Sequence, residues 1–380
     1  MSDPVYLDYN ATAPIRPEAA EAAACALAIG GNPSSVHAAG RLARAAVERG
    51  REQVAALVGA RPQSVTFTSG GTEANALAIE SAVAAGSNKP IVALIEHDSV
   101  MAGAMATGLE VQGWPVGPDC VADLDWLRDR LKAWRAEDGT PFAALALANN
   151  ETGVIQPVVE AAAILHEAGG WLHVDAVQAA GKIPLDFNAL GADTLSLSGH
   201  KLGGPQGAGA LVAGPRARLT RRLHGGGQER GVRAGTENVA GIAGFGAAAD
   251  AARRDLPGAG VQGAWRDAAA SRLQREADVL VAGEGAPRLP GTLCFVSDGF
   301  ASDIQVMALD LAGVMVSAGA ACSSGKVTPS AVLMAMGLRD LAGFALRVSG
   351  GWATRQDDWT AFADAWLAAF ERHSRRREVA

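Results

Sequence analysis

Between residues 64 and 213, short apolar runs alternate with helix-like stretches, and no other feature limits the fold as much. The runs lie at 64–68, 91–95, 142–148, 171–175, 194–198 and 208–213. Several are apolar throughout rather than at every second residue, as in strands covered by helices on both faces. Helices are expected near 72–85, 99–107, 123–135 and 158–168, after two alanine-rich ones at 17–29 and about 38–58. The fold class is therefore α/β, with a mostly parallel sheet and its ligands at the carboxyl ends of the strands.

The rhythm pauses at Pro257-Gly258-Ala259-Gly260, which reads as a domain boundary. Beyond it are expected a helix near 261–275, strands near 291–296, 314–316 and 344–349, and a helix near 303–311. A last helix starts near Arg355, with Trp359, Phe362 and Trp366 on one face. That makes a smaller α+β unit. With 380 residues, 49% of them hydrophobic, the chain has enough apolar material for two such cores.

A net charge of −7 argues against nucleic acid as a direct partner, and the short basic tail Arg375-Arg376-Arg377 does not change that. No apolar run reaches the length of a membrane span, and Met1–Tyr6 has no signal-peptide pattern, so a cytoplasmic protein is expected. Cys25, Cys120, Cys294 and Cys322 are scattered, which suggests neither a disulfide framework nor a metal site.

Chemistry-bearing residues gather at the strand ends. Ser69-Gly70-Gly71-Thr72-Glu73 opens a helix after the first strand, where glycines and free N–H groups suit a phosphate; an ordinary capped helix start is the plainer reading. Glu96-His97 follows the second strand, and the histidine is placed to stack on a planar ring or merely to face solvent. Asn149-Asn150-Glu151-Thr152-Gly153 follows the third, either shaping a turn or offering amides to a carboxylate or a ring oxygen. Asp175 ends the fourth, where a buried acid needs a partner; a protonated pyridine nitrogen is one and a helix N-terminus another. Ser198-Gly199-His200-Lys201 ends the fifth. Alone it reads as a surface turn, but a lysine held in a polar pocket is the amine of Schiff-base chemistry. Lysine, strand-end acid and phosphate-type turn on one sheet edge together suit pyridoxal phosphate.

With Val174-Asp175-Ala176-Val177-Gln178, the glycine-rich run 224–238, Ser317–Gly325 around Cys322 and Ala345-Leu346-Arg347-Val348-Ser349, these motifs closely resemble the NifS/IscS-like cysteine desulfurases. These are class V aminotransferase relatives among the fold-type I pyridoxal 5'-phosphate enzymes. The resemblance spans nearly the whole chain, in family order. It implies a large domain at 16–256 and a small one made of 1–15 with 257–380, carrying the catalytic cysteine loop. It further implies that Lys201 forms the Schiff base, Asp175 pairs with the pyridinium, Gln178 bonds the ring hydroxyl and His97 stacks on the ring. Gly71, Thr72, Ser198 and His200 would hold the phosphate, with Thr236 reaching the phosphate of the other subunit of a homodimer. Asn150 and Arg347 would hold the carboxylate of L-cysteine. Cys322 would accept the sulfur as a persulfide, leave L-alanine, and pass the sulfur to an acceptor or iron–sulfur scaffold protein for cluster assembly or thiolation. Its surroundings resemble the long mobile loop of this branch. Ala74-Asn75, Ala318 and Ala320 vary in kind, which bears only on the transfer partner. The alternatives left open are another enzyme of the same fold, such as an aminotransferase, and a non-catalytic pyridoxal phosphate protein.

Overall fold

The structure is a computed structural model that describes residues 4–319 and 328–379. A two-residue strand, β1 (Val5–Tyr6), leads into helices α1 (Pro17–Leu27) and α2 (Ala38–Leu57). Then come β2 (Val65–Thr68), α3 (Gly71–Ala84), β3 (Ile91–Ala93), α4 (Asp98–Met105), β4 (Gln112–Trp114) and α5 (Leu124–Lys132). The alternation continues through β5 (Phe142–Ala146), α6 (Val158–Glu167), β6 (Trp171–Asp175), the one-turn α7 (Phe187–Leu190), β7 (Thr194–Ser198) and β8 (Gly209–Ala213).

β2 to β8 form one seven-stranded sheet in the order β2-β8-β7-β6-β5-β3-β4. β8 is antiparallel to both of its neighbours, and the other strands all run one way. The chain returns from Ser198 to Gly209 too quickly for a crossover helix, which needs about a dozen residues, so β8 must run back. Every residue of β5, β6 and β7 is buried, as apolar runs without alternation require. β4 escapes a pattern reading because it is a three-residue edge strand containing Gln112 and Gly113.

α8 (Val239–Ala259) packs on α1 and α2. A Cβ on Gly246 would lie 2.6 Å from the Gly50 Cα, so α2 and α8 meet backbone to backbone. The expected pause at 257–260 is a joint rather than a loop. α8 runs through Pro257, which sits in its last turn, and α9 (Val261–Ala277) starts just after Gly260.

The remaining strands are β9 (Leu280–Val281), β10 (Thr292–Val296), β11 (Val314–Met315), β12 (Ser317–Ala318) and β13 (Ala345–Ser349). Four of them make an antiparallel sheet ordered β12-β13-β10-β9, while β11 pairs with β1. Helices α10 (Ser302–Leu311), α11 (Ala331–Ala335) and α12 (Gln356–Val379) complete the chain. Here a second core forms around Phe295, Phe300, Trp359, Phe362 and Trp366, with Leu7 of the N-terminal segment among them. The Phe295 and Trp366 rings meet edge to face, 5.2 Å between centroids. Segment 5–10 therefore docks on the second core and runs on to the edge of the large sheet. Asp8 bridges to Ser349, and the Ala13 N–H donates to the His200 carbonyl.

Candidate active site

The carboxyl ends of β5, β6 and β7 and the start of α3 enclose a cavity of about 270 Å³. Gly71, Thr72, His97, Asn150, Asp175, Gln178, Ser198, His200 and Lys201 all line it. α3 begins there with no side chain capping it, so the ordinary Thr72-capped start is not what forms. A Cβ on Gly71 would lie 2.8 Å from Val177 Cγ2, so the helix start closely abuts the turn after Asp175. Glu73 accepts the Ser69 N–H at 2.7 Å and pairs with Arg233 at 2.8 Å, and these contacts hold its carboxyl below the usual range despite partial burial.

Asp175, at the end of β6, accepts from Asn75 Nδ2 at 2.8 Å and from the Val177 N–H at 2.9 Å. Lys201 sits on a single turn of 3₁₀ helix after β7, and its Nζ donates to the carbonyls of Asn10 and Ala11. His200 faces Thr12, Nδ1 to Oγ1 3.1 Å, and burial with Lys201 nearby lowers its pKa to about 4, so it is a neutral ring. His97 caps α4, its Nδ1 accepting from the Ser99 N–H at 3.1 Å. The two asparagines divide the alternatives between them. Asn149 builds the turn, donating to the Ile95 carbonyl and accepting from the N–H groups of Glu151 and Thr152, while Asn150 faces the cavity.

The family model described as "Aminotransferase class-V" matches residues 5–362. A cysteine desulfurase IscS of Dictyoglomus turgidum is 38% identical over 94% of this chain and 92% of its own. A cysteine desulfurase of a Frankia species is 41% identical over 95% and 90%. Among solved structures, a NifS-like protein from Rickettsia africae superposes with a TM-score of 0.89 at 30% identity, covering 97% of this chain and 99% of that one. The chain belongs to the cysteine desulfurases of the class-V aminotransferase family. Its sheet order and two-core architecture are those of a fold-type I enzyme.

Two predicted desulfurase residues, Arg347 and Thr236, lie apart from the cavity lining. Arg347, fully buried on β13, donates to Asp8 Oδ1 at 3.0 Å and to the Asn150 carbonyl at 3.3 Å, and its Nε has no partner among the described residues. Thr236 is exposed and lines a separate cavity of about 230 Å³ with Arg233 and Asn238. Cys322 lies outside the described residues. Of the other cysteines, Cys120 and Cys294 are buried, and burial pushes both thiols up, to about 12 for Cys120. Cys25 is exposed on α1.

Several polar residues at the site escaped the sequence reading. Asn75 was set aside, yet it lines the cavity one helical turn beyond Gly71. His173 precedes Asp175 by two in the same strand, so both point to one face, a period-two signal that was available. Lys182 is half-buried one turn past Gln178, with its Nζ donating to Asn10 Oδ1 at 2.7 Å and to Gln178 Oε1 at 3.0 Å. Burial, then Lys201 and Arg347, push its pKa well below the usual lysine value. No group of His, Cys, Asp and Glu among the described residues could hold a metal ion, and no helix among them is long and apolar enough to cross a membrane.

Proposed function

We propose that the cavity binds pyridoxal 5'-phosphate and that the chain takes sulfur from L-cysteine, leaving L-alanine and a persulfide on Cys322. The observation that carries this reading is the convergence of Lys201, Asp175 and the uncapped start of α3 on one cavity. When bound, the cofactor supplies an electron sink for the carbon that bears the substrate amine. Lys201 provides the amine that attaches it and, once displaced by substrate, moves the α-proton. Asp175, fixed by two donated hydrogen bonds, keeps a proton on the ring nitrogen. The N–H groups of Gly71 and Thr72, with Ser198 and neutral His200, bind the phosphate. His97 covers one ring face. Gln178 donates to the Asn10 carbonyl and has a second amide hydrogen for the ring hydroxyl.

Asn150 and Arg347 take the substrate carboxylate, and the unpartnered Arg347 Nε supports that role. The Cys322 thiolate attacks the substrate sulfur. A sulfur–sulfur bond forms, the carbon–sulfur pair returns to carbon, and protonation there completes alanine. The persulfide then passes to an acceptor protein, an iron–sulfur scaffold or a thiolation enzyme. Thr236, apart from its own cavity, serves the partner subunit of a homodimer. The division at 16–256, with 1–15 joining 257–380, is supported by the second core, which draws only on the outer segments, although the first core also takes in Leu289, Cys294, Val296 and Leu333.

The test is to load the protein with pyridoxal phosphate, add L-cysteine and reductant, and assay sulfide and alanine together. Equal amounts, lost in Cys322→Ser, support the reading. Amino transfer to a keto acid without sulfide contradicts it.

A further inference from the structure

Behind Asp175, polar side chains form a continuous hydrogen-bonded line within the apolar sheet. His173 Nδ1 lies 2.9 Å from Thr194 Oγ1, and its Nε2 lies 3.0 Å from Asn75 Oδ1. Asn75 Nδ2 reaches Asp175 Oδ2 at 2.8 Å and Ser99 Oγ at 2.9 Å, and Ser99 Oγ lies 2.8 Å from His97 Nδ1. Thr194, His173 and Asn75 are all at most 1% exposed, so no solvent competes with these bonds.

Two groups in the line have no choice of role, and they set the direction of the rest. A carboxylate only accepts, so the Asn75 atom facing Asp175 is the amide nitrogen and the one facing His173 is the oxygen. His173 therefore carries its proton on Nε2 and accepts the Thr194 hydroxyl on Nδ1. Its pKa, lowered to about 4 by burial, leaves it only that one proton at neutral pH. At the other end a backbone N–H only donates, so His97 Nδ1 bears a lone pair and the neutral ring has its proton on Nε2. Ser99 accepts from Asn75 and so has its hydrogen free for that same Nδ1.

We propose that Asn75 and His173 are positioning residues that couple the two groups set against the cofactor ring, Asp175 at its nitrogen and His97 at its face. This rests on the cofactor reading above. Asn75 divides one amide between the acid and Ser99. A shift of its side chain therefore moves both contacts at once, and His173 pins it from behind.

The test uses full-length protein labelled with ¹⁵N-histidine, without cofactor. Two-bond proton–nitrogen correlations report which nitrogen of each ring is protonated, and the His97→Gln and His173→Gln variants assign the two signals. Both rings are expected to be protonated on Nε2, and Asn75→Ala should shift the His97 Nδ1 resonance, because Ser99 Oγ loses the donor that orients its hydroxyl toward that nitrogen, while the Ser99 N–H keeps the tautomer. Pyridoxal phosphate affinity is the second readout. Asn75→Ala should weaken it about tenfold and His173→Leu several-fold, while His173→Gln, which keeps a donor toward Asn75, should stay within about twofold. A proton on Nδ1 of His97, or a His97 state untouched by Asn75→Ala together with unchanged affinity in both variants, overturns the coupling. If the unaltered protein binds no pyridoxal phosphate, the cofactor reading fails and the ring-nitrogen result alone decides the coupling.

Discussion

The two sides of the cavity are built in opposite ways. On the acid side, Asp175, His173 and Thr194 come from β6 and β7, neighbours in one sheet, Asn75 comes from α3 packed on them, and the four satisfy one another. On the basic side, Lys201, Lys182 and Arg347 lie close enough that both Lys201 and Arg347 depress the Lys182 amine. They are held by Asp8, Asn10 and Ala11, a segment anchored largely on the second core. The acid side is set by sheet register. The basic side depends on where a distant stretch of chain is laid down, and it gathers positive charge that suits an anionic substrate.

The comparison predicts unequal responses to substitution. The largest belongs to Lys201→Ala, for which no other buried amine lines the cavity. Turnover of L-cysteine should fall at least ~10³-fold, measured as alanine formed, because the covalent route is lost. Asp175→Asn keeps the shape and an acceptor for Asn75 but removes the negative charge, and kcat should fall ~10²–10³-fold, the scale of losing one preorganised electrostatic partner. Activity near that of the unaltered protein would mean the acid side is only structural.

Lys182→Met should leave cofactor attachment in place while leaving Asn10 Oδ1 and Gln178 Oε1 without their donor. Urea unfolding should show a loss of about 1–3 kcal/mol, the cost of unsatisfied buried acceptors. No loss would break the claim that this amine organises the basic side.

The smallest effect is one of pH. His173 titrates at about 4 when folded against 6.5 when unfolded, so between those values the unfolded chain takes up a proton that the native one does not. Stability therefore falls as pH drops from 6.5 towards 4, by up to roughly 3 kcal/mol from this ring. His200 acts in the same direction, and Glu96, held well above the carboxylate range by burial and by Asp175, acts in the other. The difference between the unaltered protein and His173→Gln isolates the ring. Urea midpoints at pH 7 and pH 5 should lie closer together in the variant, and equal gaps in the two proteins would contradict the neutral buried ring.

On both sides the strand-end residues, Asp175 and Lys201, are legible in the sequence, and the polar partners that hold them are not. Apolar runs ending in Asp175, Ser198 and Asn149-Asn150 announce strand ends, and in a mostly parallel sheet those ends meet on one edge. His173 and Asn75 lie close by in sequence, two residues from Asp175 and one helical turn from Gly71. What hid them was their setting, a histidine inside an apolar strand and an asparagine in an alanine-rich helix. Nothing local connects Asn10 with Lys182 and Lys201, because 172 and 191 residues separate them in sequence. Only the docking of the N-terminal segment on the second core brings them together.

One measurement bears most directly on this account. The protein has five lysines, Lys89, Lys132, Lys182, Lys201 and Lys326, and among the described residues Lys201 lines the cavity and Lys182 contacts its Gln178. Borohydride reduction of the cofactor-loaded protein, followed by peptide mapping, shows which one carries the pyridoxyl group. Label on Lys201 alone is the predicted result. Label on Lys182, or none on either, would contradict the placement of the cofactor at the end of β7.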